Sequence, residues 1–466
     1  LEKARTDRKI AWGKGWVLHT DSENGVIESD WFDEHKGEVH FKVQVIVWGK
    51  HWHVDVWEWD GAPIFPGPIT KKDWSRSFER QIQSHVDDSV REQLTLCGAA
   101  IGQTVNTTGT AASAAELPRP HGQAQTGVWT DVTPPGLNLT PKYDPSGNYG
   151  VNDVLADPAR PGDFYAFVNY QGVWKSTDCG LTWAKISAQG GPLDLGRAWG
   201  EAIDKNPKRN PATPPRMYAC QGYGPVRGVW VSTNGGVDWT RYSNGGKADD
   251  VYNFDTDPND AMHVICGDHG DDHCYESTDG GVKWADKGEI IADGVTGTQS
   301  PYIWFITADT WLAVSESGHG NHGTFRTTNR GTTWTKVLQA EHAHGANQIF
   351  IDKGGVIYLP HTGGIHRSAD QGVTWTQVST LQASAVVATP SYLYASYGFP
   401  LLSHRFDPNL QRASRAAGTP WSTDYTPTPP AMINGTKRAA VSFDGKHYII
   451  VSGNWCAAGI WRYVEP

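Results

Sequence analysis

A Ser-x-Asp-x-Gly-x-x-Trp octapeptide recurs along the chain and limits what it can fold into. The form is met at Ser277–Trp284 and again at Ser176–Trp183, Ser232–Trp239, Thr327–Trp334 and Ser368–Trp375. A worn sixth copy, Ser414–Trp421, carries Ala416 where the third-place carboxylate belongs. Repetition of this kind sets the architecture before any other signal is weighed. Asp or Asn in third place can bond its own backbone, and glycine in fifth place accepts positive φ, so each octapeptide reads as a turn between two antiparallel strands. The closing tryptophan supplies a large apolar ring to fill the space between neighbouring units. A carboxylate needed in every copy serves the scaffold, not catalysis.

The octapeptide is the Asp-box, and residues 127–466 resemble the Asp-box β-propellers, which include sialidases and xyloglucanase-type glycoside hydrolases. The resemblance implies a fold and leaves the activity open, because one fold hosts many activities. Trp183, Trp239, Trp284, Trp334, Trp375 and Trp421 stand 56, 45, 50, 41 and 46 residues apart, the length of a four-stranded blade. A seventh such strand, beginning at Trp129, has no preceding strands of its own, and the last segment, Ala439 to Val464, has three strands and no tryptophan-led fourth. Residues 127–133 are therefore expected to complete the last blade, giving an all-β, seven-bladed propeller that removes two raw sheet edges.

Residues 1–97 read differently, as a small α+β module. Val39, Phe41, Val43, Val45 and Val47 alternate with polar residues, Gly49-Lys50 makes a turn, and Trp52, Val54 and Val56 begin a return strand. His51, His53 and Asp55 share a face of that strand and could hold a metal, though a solvated face is the expectation. Thr70 can cap a helix whose stripe runs through Trp74, Phe78, Ile82, Val86, Val90 and Leu94. The module is a candidate for docking a partner. Residues 98–126 are small, polar and proline-bearing and read as a flexible linker.

A net charge of −10 with no basic run makes nucleic acid and anionic membrane poor partners. No apolar run reaches the roughly 18 residues a membrane span requires. Cys266 and Cys274 flank one hairpin and could bridge it; Cys97, Cys179, Cys220 and Cys456 are scattered. Composition, the Asp-box resemblance and sequons at Asn106, Asn138 and Asn434 fit a secreted protein.

Within a blade, the octapeptide joins the third and fourth strands. The loops at the opposite end join the second strand to the third, and the fourth to the next blade. Ligands are expected on that opposite face, at the mouth of the central channel. Its loops carry Tyr170, Arg197, Trp199, Tyr223 and Trp455, candidates for binding substrate, and Arg197 and Arg227 are the clear arginines of that face. They also carry seven histidines from three adjacent blades: His269, His273, His319, His322, His342, His344 and His361. Imidazole with carboxylate suits a divalent metal, for which His273, His319, His322 and His342 are the candidates, and equally suits proton transfer near neutral pH.

The sialidases' arginine triad and Arg-Ile-Pro motif are absent. The segment Tyr165–Trp174 is similar to the xyloglucanase-type segment that bears a catalytic Asp, but holds Asn169 at that place, which can act as neither acid nor base. An inverting hydrolase would need another carboxylate pair, for which Asp153, Glu201 and Asp250, at the starts of successive inner strands, are the candidates. A polysaccharide lyase would use His344 or His269 as base, Tyr302 as acid and Arg197 as carboxylate clamp. The expected function is cleavage of a polysaccharide at a histidine-rich mouth; the alternative is a non-catalytic propeller that binds a glycan or protein.

Overall fold

The computed structural model describes the backbone of residues 17–21, 26–31, 41–48 and 51–58. It also describes residues 126–139, 150–223, 226–242, 250–269, 273–292, 301–315, 322–340, 348–361, 363–396, 410–416, 420–422, 438–454 and 459–466, of which 197–199, 223 and 454 as backbone alone. Clustering of the chain gives two compact units, residues 1–109 with 140–148, and residues 110–139 with 149–466.

In the first unit, strands Val17–Asp21, Val26–Trp31, Phe41–Trp48 and His51–Glu58 form an antiparallel meander. The last two make the expected hairpin around Gly49-Lys50, in unbroken register from Phe41↔Glu58 to Trp48↔His51. The first two strands carry no alternation strong enough to have been read from sequence. The expected helix after Thr70 and the linker lie outside the described residues.

The second unit is a seven-bladed β-propeller. Blade 1 holds Val151–Ala156, Phe164–Val168, Gly172–Ser176 and Ala184–Lys185; blade 2 Arg197–Ile203, Met217–Tyr223, Gly228–Ser232 and Thr240–Arg241. Blade 3 holds Val251–Asp257, Asp260–Asp268, His273–Ser277 and Ala285–Glu289; blade 4 Tyr302–Phe305, Trp311–Val314, Thr324–Thr327 and Thr335–Leu338. Blade 5 holds Phe350–Ile351, Ile357–His361, Gly364–Ser368 and Thr376–Ser379. Blade 6 shows three strands among the described residues, Ala385–Ala388, Tyr392–Ser396 and Gln411–Ser414, and a bridge, Arg412↔Ser422, beside the third.

Blade 7 joins Arg438–Phe443, Tyr448–Asn454 and Gly459–Val464 to Trp129–Asp131, which pairs through Trp461↔Asp131, Arg462↔Thr130 and Tyr463↔Trp129. The two ends of the propeller thus share one sheet, as its unmatched strands require.

The octapeptide turns are built alike. In blade 3, Ser277 Oγ donates to Asp279 Oδ1 at 2.9 Å and accepts from the Gly281 N–H at 2.9 Å, while Lys283 N–H donates to Asp279 Oδ1 at 2.9 Å. Asn234 and Asn329 accept the matching bond at the same 2.9 Å, which is why Asp and Asn interchange. The fourth residue is left-handed as well as the fifth: Cys179, Arg330 and Gln371 have φ of 60, 56 and 60°. That position shows no pattern in the sequence, since side chains of three kinds occupy it.

The fourth residue also latches four of these turns to the blade before. Arg462 Nε of blade 7 donates to Cys179 O at 2.7 Å, Arg216 Nη2 of blade 2 to Gly280 O at 2.6 Å, and Arg326 Nε of blade 4 to Gln371 O at 2.8 Å. Between blades 3 and 4 the polarity reverses, and Arg330 Nε donates to the Glu276 carboxylate at 2.7 Å. Trp183, Trp284 and Trp334 fill the same seams, each in a buried cluster that mixes its own blade with the preceding one. Trp129 does likewise, with Tyr394 of blade 6 and Ile450 of blade 7.

The Cys266–Cys274 bridge does not form. Cys266 stands opposite Tyr275, and Cys274 opposite Gly267. This offset of one residue puts the two thiols on opposite faces of the sheet. Cys266 lies in the cluster shared with blade 2 and Cys274 in that shared with blade 4, and both are free thiols.

Candidate functional site at the propeller axis

The first strands of the blades run side by side around the axis and are clipped to one another by buried polar side chains. Asn152 Nδ2 donates to both Glu201 oxygens, at 2.6 and 2.8 Å, tying blade 1 to blade 2. Gly200 is required beside it, because a Cβ there would stand 2.8 Å from the Asn253 Cα of blade 3. Asn253 in turn bonds the backbone of Ile303 in both directions, at 2.7 and 3.0 Å. Gln348, just before the first strand of blade 5, grips Ala439 of blade 7 by its carbonyl and its N–H, at 2.6 and 2.9 Å.

Arg438 opens the first strand of blade 7, and its guanidinium carbon lies 5.5 Å from the ring centroid of Tyr302, which opens that of blade 4. Blades 4 and 7 are three apart in a ring of seven, so this contact crosses the axis. Burial by itself would lower the Arg438 pKa; Asp153, Tyr302 and Glu201 more than offset that and hold it above the ordinary arginine value. Asp153, Glu201, Tyr302 and Arg438 are all buried.

Stacking carries the arrangement to blade 3. Tyr302 stacks on Tyr252 with centroids 5.1 Å apart, and Tyr252 lies 4.4 Å from the imidazole of His269. His269 Nδ1 is 3.0 Å from Asp250 Oδ2, and Arg227 Nη2 reaches the same oxygen at 4.0 Å. The side chains of His269 and Asp250 are 15% and 16% exposed, so this dyad is open to solvent where the ionic group beneath it is not. The carboxylate thus fixes the imidazole through Nδ1.

Of the residues the sequence singles out, Asp153, Glu201, Asp250, His269 and Tyr302 thus belong to one connected cluster. Tyr170 is half-buried, holds a left-handed φ of 61° and donates its N–H to Gly196 O at 3.0 Å, at the join of blades 1 and 2. Asn169, in the xyloglucanase-like segment, is buried. Arg197, Trp199 and Tyr223 are described as backbone alone: Arg197 opens the first strand of blade 2, Trp199 lies within it, and Tyr223 ends the second. His319, His342, His344 and Trp455 lie outside the described residues.

His273 stands apart from the axis: its Nδ1 meets Asp286 Oδ1, on the outer strand of its own blade, at 2.9 Å. His322 is on blade 4, where its carbonyl accepts from Gln339 at 3.2 Å. Among the described residues no three His, Cys, Asp or Glu side chains stand together as metal ligands. In blade 5, Gly363 N–H donates to His361 Nδ1 at 3.0 Å, so the proton of neutral His361 lies on Nε2, which meets His366 Nδ1 at 2.6 Å.

Sequence reasoning missed Arg438, Tyr252 and Gln348. None lies in a motif, and Arg438 acts through partners on blades 1, 2 and 4. A cue was available for Tyr252 in its place two residues after Asp250, at the start of a first strand.

No protein-family model matches the chain. It is similar to the xyloglucanase Xgh74A of Acetivibrio thermocellus, 25% identical over 292 residues, a match that covers 51% of this chain and 33% of the relative. The chain spans about a third of the length of the curated relatives it matches. Among solved structures it is similar to the extracellular domain of a putative one-component system from B. thetaiotaomicron, with a TM-score of 0.49 and 12% identity, over 73% of this chain and 40% of that one. It is also similar to YCF48 from Cyanidioschyzon merolae, with a TM-score of 0.40 and 14% identity, over 74% of this chain and 99% of that one.

Proposed function

We propose that this propeller is a secreted, carbohydrate-active protein of the Asp-box kind that cleaves a polysaccharide at the axial face, with His269 as its acid–base group and Asp250 holding it. The observation that supports this is the dyad itself: an imidazole fixed through Nδ1 by a carboxylate, partly open to solvent, beside an exposed arginine, Arg227. Similarity to a xyloglucanase supports a polysaccharide as the substrate and says nothing of a uronate in it. Asp153 and Glu201 are buried, and Glu201 accepts two bonds from Asn152, which favours the imidazole over this carboxylate pair as the acid–base group. An imidazole base beside a guanidinium suits elimination next to a uronate: His269 takes the C5 proton, the C4–C5 double bond forms, and the C4–O bond breaks with the leaving oxygen gaining a proton.

Incubation with neutral and acidic polysaccharides, with and without chelator, tests the proposal. New ultraviolet absorbance of an unsaturated end marks elimination, and new reducing ends without it mark hydrolysis. A chelator-sensitive rate would support the divalent ion expected from the histidine-rich loops. The second reading, a non-catalytic glycan binder, is favoured by Asn169 at the place of a catalytic Asp; binding without new ends on any substrate would establish it.

A further inference from the structure

The path from Arg438 to His269 passes through three contacts and no flexible side chain. The guanidinium lies over the face of Tyr302, Tyr302 stacks on Tyr252, and Tyr252 supports the imidazole that Asp250 holds. Tyr302 and Tyr252 are wholly buried, so neither ring has room to turn. Arg438 is itself fixed from two sides. Gln348 bonds both backbone groups of the next residue, Ala439, and the side chain is buried against the Tyr302 ring, with the charges of Asp153 and Glu201 favouring its cationic form.

We infer that Arg438 is a positioning residue for the His269–Asp250 dyad, transmitting the closure of the ring at blade 7 to the imidazole on blade 3 through the Tyr302–Tyr252 stack. The inference rests on the proposed function only for its catalytic consequence; the placement of the ring is a property of the free protein. A guanidinium suits this place better than an ammonium, because it lies over an aromatic face. Lysine would keep the charge and lose the flat contact.

The test is the rate at which diethyl pyrocarbonate modifies each histidine, read by peptide mass spectrometry on the full chain without substrate. His447, on the hairpin between the first two strands of blade 7 and paired to Asp444, is the internal control. In Arg438→Met, His269 should react several-fold faster while His447 keeps its rate. Arg438→Lys should give a smaller rise, and it serves alone if the methionine variant does not fold. Tyr302→Leu, which breaks the stack and leaves Arg438 unsubstituted, should match Arg438→Met. A folded Arg438 variant in which His269 keeps its parental rate overturns the inference, and so does an equal rise at His269 and His447, which would mean general loosening. Absence of any polysaccharide cleavage by the parent would bear on the proposed function and leave these rates as they are.

Discussion

Trp129, near the start of the propeller, is the backbone partner of Tyr463 near its end, and their ring centroids lie 5.3 Å apart. The last sheet is therefore complete only when the first strand is present. Chains begun at Thr110 should keep the melting temperature of the propeller, since that residue opens the second compact unit. Chains begun after Thr133 should melt many degrees lower or fail to fold. Trp129→Ala should cost about 3–5 kcal/mol, the range for removing a buried tryptophan. Denaturant melts check all three, and equal midpoints for the two truncations would contradict the closure.

The octapeptide carboxylates hold turns and should leave catalysis alone. Asp279→Asn should be near neutral, because Asn234 and Asn329 already make the same bond elsewhere in the ring. Asp279→Ala should cost about 1–2 kcal/mol for the lost acceptor. Neither should change activity, because this turn and His269 are at opposite ends of blade 3. A loss of activity in Asp279→Asn at full stability would place catalysis on the wrong face for this account.

Two buried groups set the acid limit. Burial, with His366 beside it, lowers His361 to about 4 from an ordinary value near 6.5. Between these values the unfolded chain binds the proton and the folded one does not, so stability falls as pH drops from about 6.5 to about 4. Glu276 sits at about 2: burial would raise it, but hydrogen bonds from His263 and Arg330 and the charges of Arg330 and Lys287 lower it further. Its contribution is present above its ordinary value near 4.5 and is lost as pH falls from there toward 2. Melting temperature should therefore decline in two stages. His361→Gln should reduce the upper stage, to which His366, also lowered by burial, contributes, and Glu276→Gln should reduce the lower; a wild-type profile flat from pH 7 to 4 would contradict the first.

Blade 3 makes a chemical prediction too. Cys266 and Cys274 should both alkylate as thiols when the purified, air-oxidised protein is unfolded, because they lie on opposite faces of one sheet. Recovery of a peptide joining the two would contradict the register of that hairpin.

What the sequence could show was local or repeated. The Ser–Asp–Gly–Trp spacing names the turn because all its bonds fall within eight residues. Trp129 betrays the closure because it is an outer strand with no inner ones. The hub was only half legible: Asp153, Glu201 and Asp250 stand at inner strand starts, but the residue whose cationic form two of these carboxylates favour, Arg438, comes from a stretch with no motif. Its partners are set by the ring, and no periodicity in the chain encodes a contact across an axis. The unmade Cys266–Cys274 bridge has the same origin: spacing alone does not give the register, and register decides the face.

The most direct test of the account is the rate at which His269→Gln cleaves the polysaccharide panel, measured beside the parent protein and beside binding of the same glycans. The account predicts a loss of at least about 100-fold, the scale of a removed general base, with fold and binding kept. Cleavage at the parental rate by His269→Gln, or a parent that binds glycans and cleaves none, would contradict it.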